Sequence, residues 1–112
     1  MRTMRLAALA SLVLIACAAV PEHVELQPEA ENVEFAYETP STDAYKEVGK
    51  VTGIAEGADE EAVTVSAKND LRNKAAALGA TMVTIDENVG QAVPLTNRLR
   101  VKLVGRAYKP AD

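Results

Sequence analysis

The chain reads as an α+β protein, a single helix packed on a small, mainly antiparallel four-stranded sheet in the order β-β-α-β-β. Two patterns carry this expectation. Val63, Ala67, Leu71, Ala75 and Leu78 recur at helical spacing, falling within about 120° on a wheel that advances about 100° per residue. Leu99, Val101, Leu103 and Ala107 alternate with Arg98, Arg100, Lys102 and Arg106, the period of two that a strand shows when one face is buried. One helix laid over one sheet is a stable two-layer way to bury both stripes.

The elements follow in order. Val33-Glu34-Phe35-Ala36-Tyr37 alternates large apolar residues with small or charged ones, the mark of a half-buried strand. Thr39-Pro40-Ser41-Thr42-Asp43 ends it with turn-forming residues. A second strand over residues 47–55 carries Val48, Val51 and Ile54 but also Gly49 and Gly53. Two glycines in so short a run predict a bulge or the close approach of another backbone. Asp59-Glu60-Glu61 opens the helix: Asp59 can accept from first-turn N–H groups, and the glutamates oppose the positive dipole end. The helix should run to about Leu78, with Gly79 as the left-handed residue that stops it. Its stripe is narrow and made of small residues, so it can lie close to a sheet. Lys74 falls inside the stripe and must snorkel outward. A third strand over 80–86 places Thr81, Val83 and Ile85 on one face, residues 87–91 read as a loop, and the basic–apolar alternation supplies the fourth strand.

The length, 112 residues, leaves room for one small domain, and a single cysteine excludes a disulfide framework. A net charge of −4 with no dense basic tract argues against nucleic-acid binding. Residues 1–5 hold two arginines and no acid, and residues 6–16 are an apolar run interrupted only by Ser11. A positive segment followed by a short apolar one is the layout of a secretory signal peptide. The run is too short for a membrane span, which takes about 20 apolar residues. It ends Leu14-Ile15-Ala16-Cys17, which resembles a bacterial lipobox: an aliphatic residue, a tolerant one, a small one, then the cysteine that is lipidated and becomes the mature N-terminus. Several acyl chains on Cys17 would make anchoring effectively permanent. Under the sorting rule of the lipoproteins of double-membrane bacteria, whose motif this resembles, Ala18 rather than Asp after the cysteine implies the outer membrane, and the domain is expected to face the periplasm. The expected organisation is a signal peptide over 1–16, a lipidated cysteine and acidic tether over 17–31, and a compact domain over 32–112. The tether has Pro21, Pro28 and repeated glutamates with no sustained period, which predicts an extended, loosely ordered segment holding the domain off the bilayer.

Three stretches, taken together, resemble a widespread family of small uncharacterised bacterial lipoproteins whose domain is similar to that of the outer-membrane stress sensors of the Rcs phosphorelay. They are Tyr45-Lys46-Glu47-Val48-Gly49-Lys50-Val51-Thr52-Gly53, the run over 69–85 with Ala77-Leu78-Gly79-Ala80 at its centre, and Leu103-Val104-Gly105-Arg106-Ala107-Tyr108. The resemblance implies a helix on a small sheet, an outer-membrane anchor and work done through protein contacts. It brings no catalytic residues. Members commonly have cysteines where this chain has Tyr45 and Pro110, so redox-dependent folding or sensing does not carry over.

Residue chemistry narrows the function classes. With no cysteine beyond Cys17, no tryptophan and only His23, thiol catalysis and multi-histidine metal sites are out, and no cofactor is expected beyond covalent lipid. His23 reads as a solvated surface residue. Asp59-Glu60-Glu61 and Asp86-Glu87 are carboxylate clusters at element ends, where caps and turns explain them better than a cation; they alone keep a small carboxylate-based enzyme in view. Asn69, Asp70, Arg72 and Asn73 form a polar helix face of the kind that usually meets solvent. The strongest lead is the basic strand face, Arg98, Arg100, Lys102 and Arg106, projecting at about 7 Å intervals. It has three readings: charge that keeps an exposed sheet soluble, a contact for an acidic envelope protein or for an anionic lipid or polymer, or a surface onto which the acidic tether folds back.

Overall fold

Residues 45–57 and 99–110 pair along nearly their whole length, and this antiparallel ribbon is the spine on which everything else is placed. In the computed structural model, residues 20–111 are described; the signal segment and Cys17 lie outside them. A single 3-10 turn (Pro28–Ala30) precedes β1 (Glu34–Ala36), β2 (Tyr45–Gly57), α1 (Glu60–Ala77), β3 (Met82–Thr84), β4 (Glu87–Ala92) and β5 (Leu99–Pro110). β5 is central. It pairs antiparallel with β2 on one side and, on the other, with β3 at Tyr108 and Ala107 and then β4 from Val104 to Leu99. β1 adds to β3 in parallel.

The α+β architecture expected from the sequence is therefore present, with one helix on a mostly antiparallel sheet, but the sheet has five strands rather than four. The extra one is β4, where residues 87–91 read as a loop. Its side chains are all exposed, so no burial alternation marks it, and only its register against β5 makes it a strand. The expected strand over 80–86 shortens to β3. From Val83 opposite Ala107 to Glu87 opposite Val104, one edge advances four residues and the other three. The extra residue makes a bulge at Thr84–Asp86 in which the Asp86 N–H already donates to the Val104 carbonyl. Gly105 lies beneath it, where a Cβ would collide with the Thr84 carbonyl.

α1 begins as predicted, with the Asp59 carboxylate accepting from the Ala62 N–H at 3.0 Å, and ends at a Gly79 with φ +81°. Val63, Ala67, Leu71 and Ala75 are buried against Val51, Ala55, Val83, Val101, Leu103 and Ala107, with Val33 closing one side. Leu78 is the stripe member that leaves the core: it lies just past the helix end, 45 % exposed, with its tip over Gly49. Tyr37 likewise escapes the pattern of its strand, because β1 ends at Ala36 and leaves the ring in solvent.

Both explanations offered for the β2 glycines hold, one at each end of the strand. The register shifts between Glu47 and Gly49, a bulge at Val48. Gly53 faces the helix backbone itself: a Cβ there would overlap the Ala67 carbonyl oxygen and lie 2.7 Å from the Leu71 nitrogen. This contact brings α1 near enough for its side chains to reach over the open edge of β2. Asp70 Oδ2 accepts from the Ile54 N–H at 2.9 Å, and Lys74 Nζ donates to the Thr52 carbonyl at 2.8 Å. Asp70 and Lys74 pair with each other at 3.0 Å, so the snorkelling lysine ends on the sheet edge and not in bulk water. Gly53→Ala should cost about 2–3 kcal/mol, since the clash is with helix backbone that cannot rotate away; a lowered denaturant midpoint at unchanged slope is the check.

Candidate functional site

β5 alternates along its length, so Arg100, Lys102, Val104, Arg106 and Tyr108 project from the sheet face opposite α1. Register supplies their neighbours. Glu56 and Gln91 flank Arg100, Ile54 and Val89 flank Lys102, Thr52 and Glu87 flank Val104, and Lys50 lies beside Arg106. Arg98 stands just before β5 at the same end as Glu56.

The four cations do not form a free basic stripe. Arg100 donates twice to Glu56 Oε1, at 3.1 and 2.9 Å, and Arg98 Nε lies 3.4 Å from Oε2 of the same carboxylate. Arg98 also donates to the Glu56 carbonyl and lies 3.6 Å from Glu22. Arg106 grips Asp86 with two donors, at 2.9 and 3.3 Å, and donates to Thr39 Oγ1 at 3.2 Å, while its guanidinium lies over the Tyr108 ring. Lys102, between Val89 and Ile54, is exposed and has no ion-pair partner among the described residues. Of the three readings of this face, pairing within the chain accounts for Arg98, Arg100 and Arg106. The acids come from β2 and from the β3–β4 bulge, and only Glu22 comes from the acidic N-terminal segment.

These contacts set the titration of the acids. The Arg100 hydrogen bonds hold the Glu56 carboxyl below its usual value, against the opposing effect of burial and with help from Arg98. Arg106 does the same for Asp86, against burial and with support from the Thr84 hydroxyl and the charge of Lys50. Asp86 in turn favours the charged form of Arg106.

The second finding concerns the polar helix face expected to meet solvent. It binds backbone instead. Ser66 Oγ accepts from the Val24 N–H at 3.2 Å, Asn69 Nδ2 donates to the Val24 carbonyl at 2.9 Å, and Asn73 both donates to the Glu25 carbonyl and accepts from the Gln27 N–H, each at 2.9 Å. Arg72 donates to the carbonyls of Val33 and Glu31 and lies over Phe35. The Pro21 carbonyl accepts from the Glu56 N–H at 3.0 Å, continuing the cover over the β2 edge. Residues 21–31, expected as a loosely ordered tether, thus lie along α1. An extended segment without a partner strand must place its N–H and C=O groups somewhere, and two asparagines and an arginine at helical spacing receive them. Composition showed the prolines and glutamates of this segment but not its partners.

Two shallow hollows, of about 380 and 370 Å³, lie on the seam between this segment and the start of α1. Both include His23 and Asp59, but His23 is exposed, 3.8 Å from Glu25, and Asp59 is spent on its cap. No group of three or more His, Cys, Asp or Glu residues suited to a metal occurs among the described residues. Asp86 is engaged by Arg106, while Glu60, Glu61 and Glu87 of the two carboxylate clusters are exposed. The Tyr108 hydroxyl is buried without a partner among the described residues.

Edge by edge, the sheet is unevenly protected. β2 is covered by Asp70, Lys74 and Pro21, and β1 is three residues long. β4 is bare. Val93 N–H donates to the Arg98 carbonyl, and strand alternation from that bond directs the N–H and C=O groups of Asn88, Gly90 and Ala92 away from β5. β4 has neither lysine nor proline to blunt this edge.

Residues 24–109 match a protein family described as a domain of unknown function (DUF4156). No curated protein matches the chain.

Two outcomes follow from this geometry. Because Glu56 and Asp86 titrate below their ordinary values of 4.5 and 3.8, their ion pairs add stability above those values, and it is lost as pH falls through the lower folded-state values. Denaturation measured from neutral pH downward should show stability declining from about pH 4.5, with a shallower decline in Glu56→Gln. Substituting Asn69 and Asn73 together by Ala removes three hydrogen bonds worth about 1 kcal/mol each. Amide exchange at Gln27 and its neighbours should accelerate while β5 amides keep their protection.

Proposed function

This chain belongs to the DUF4156 family, and from that footing we propose that it is a lipid-anchored protein of the bacterial outer membrane whose domain acts through protein contacts, as a binding, structural or stress-sensing module and not as an enzyme. The observation that carries the reading is Leu14-Ile15-Ala16-Cys17 behind a basic segment and an apolar run. That arrangement puts the one cysteine of the chain where lipidation requires it. The family match begins at residue 24, just downstream, as a mature domain behind an anchor would.

Contact, and not chemistry, is the use that suits the polar groups of the sheet face. Arg98, Arg100 and Arg106 are occupied by Glu56, Glu22 and Asp86, and in the hollow that His23 and Ser66 share the Ser66 hydroxyl is engaged by the Val24 N–H. What the face and its margin do offer a protein is Lys102 between Val89 and Ile54, and the bare backbone of β4. Strand addition to such an edge is a common mode of recognition. The alternative, an anionic lipid or polymer bound by the basic face, has on that face only Lys102 and Lys50 without an ion-pair partner among the described residues, and with Lys50 already near Asp86 it is the weaker reading.

Intact mass and membrane fractionation test the anchor. The wild-type protein should yield an acylated peptide beginning at Cys17 and stay with the membrane, and Cys17→Ser should lose both. A soluble, unacylated wild-type product overturns the reading. A photo-crosslinker at Val89 should then capture protein where one at Lys68, on the solvent side of α1, does not.

A further inference from the structure

The turn joining β4 to β5 is apolar where a turn need not be. Val93, Pro94 and Leu95 stand at its tip; Leu95 is fully exposed, and its φ of +67° is the one positive value among the described non-glycine residues. The turn closes through Thr96 N–H to the Val93 carbonyl at 3.3 Å, with Pro94 second and Leu95 third. In that arrangement the third residue is ordinarily Gly or Asn, because only they take a positive φ without strain. A leucine here costs the fold backbone strain and gains it no burial. The rest of the turn is built firmly: Thr96 Oγ1 donates to the Val93 carbonyl at 2.8 Å and accepts from the Arg98 N–H at 3.0 Å.

The tip lies at the end of the domain from which the chain departs toward Cys17. Arg98, at the base of the turn, lies 3.6 Å from Glu22 and 3.4 Å from Glu56, and the Glu56 N–H holds Pro21. Cys17 precedes Pro21 by four residues, so the two Cα atoms are at most about 14 Å apart whatever path the chain takes. Because residues 21–31 are bound along α1, they add nothing to that reach. Acyl chains on Cys17 would therefore hold this end of the domain at the bilayer surface.

We propose that the Val93-Pro94-Leu95 tip is a membrane contact, inserting Leu95 into the interfacial zone of the same bilayer that holds the acyl chains of Cys17. The proposal rests on the anchor reading for its biological setting. The contact is apolar in character. Arg98 and Arg100 are spent on Glu22 and Glu56, and Asp59, Glu60 and Glu61 at the start of α1 stand at the same end, so anionic head groups are not what draws it in. The β5 face is then presented edge-on to the membrane, with β4 open to the side.

The chain has no tryptophan, so Leu95→Trp gives a reporter free of background. The Leu95→Trp protein recovered from the envelope is reconstituted in phosphatidylcholine vesicles; where its mass shows no acyl group, Cys17, the single cysteine, is first coupled to a maleimide lipid. Missing acyl mass thus sinks the anchor reading by itself, while the coupled protein still tests the tip. The expected result is blue-shifted emission and quenching by bromine-labelled acyl chains, both insensitive to salt. Emission equal to that of the vesicle-free protein overturns the proposal, and so does burial that needs anionic lipid and disappears in high salt. Leu95→Asn, which suits the turn and keeps the fold, provides the second arm. On vesicles, protease cleavage within residues 93–98 should be roughly tenfold faster in this variant than in wild type, as expected for losing a buried leucine, and equal to wild type off vesicles. Equal rates on vesicles overturn the proposal.

Discussion

The contact on which the rest of this structure depends is the seating of α1 backbone directly on Gly53. A helix whose core stripe is Ala67, Leu71 and Ala75 fills little space between layers, and a strand with no Cβ at the crossing point lets it descend until atoms of the two backbones touch. At that separation Asp70 and Lys74 no longer point into solvent. They span the rim of the sheet and supply β2 with the acceptor and donor that a neighbouring strand would have supplied. The edge is closed by a charged pair at i, i+4 spacing, which also makes it unattractive to another strand. With that side of the helix committed to β2, the adjacent polar positions, Ser66, Asn69, Arg72 and Asn73, face the other way and hold the N-terminal segment. One close approach thus fixes the helix, an edge and the path of the chain toward its N-terminus.

The charges follow the same economy. The chain separates its acids and bases along the sequence, with a run rich in Glu before residue 62 and an acid-free basic run over residues 98–109. The antiparallel β2–β5 register folds one onto the other. Glu56 opposite Arg100 brings in Arg98 as a second donor, and the bulge before β4 swings Asp86 beneath Arg106 and beside Lys50. Each cluster is half-exposed, so its net contribution to stability is small, but its effect on the surface is not. A face that would repel itself and attract any polyanion is brought near neutrality; of its cations without an ion-pair partner among the described residues, Lys50 stands beside Arg106 and Lys102 between two aliphatic residues.

The fold was legible wherever burial imposed a period. The helix, its Asp59 cap, its Gly79 stop and the alternation of β5 are all consequences of one face meeting a core, and each is visible in spacing alone. Gly49 and Gly53 announced a bulge or a close approach, and the chain uses one for each. What could not be read was whatever depends on a distant partner. β4 has no buried face and therefore no signature. The fate of Arg98, Arg100 and Arg106 turns on Glu56 and Asp86, which only the register brings near. Asn69 and Asn73 resemble any solvated helix face until a segment more than forty residues upstream lies against them. The prolines and glutamates of that segment suggested an extended tether whose acids could at most fold back on the basic face, yet its backbone groups, not its side chains, are what the helix holds.

This distinction bears on how the domain meets its surroundings. Had residues 21–31 hung free, the domain could have turned to present any surface to the membrane or to a partner. Bound along α1, they leave only the few residues after Cys17 between the acyl anchor proposed above and the end of the sheet where β2 stops, β5 starts and the β4–β5 turn projects. With that anchor, orientation would follow from hydrogen bonds inside the domain and would need no specific lipid. The bare edge of β4 would then stand beside the membrane plane, open to a strand brought by another protein, while the β2 edge is closed by Asp70, Lys74 and Pro21. The asymmetry between a guarded edge and an open one, on a body so held, would give so small a domain a single direction in which to be recognised.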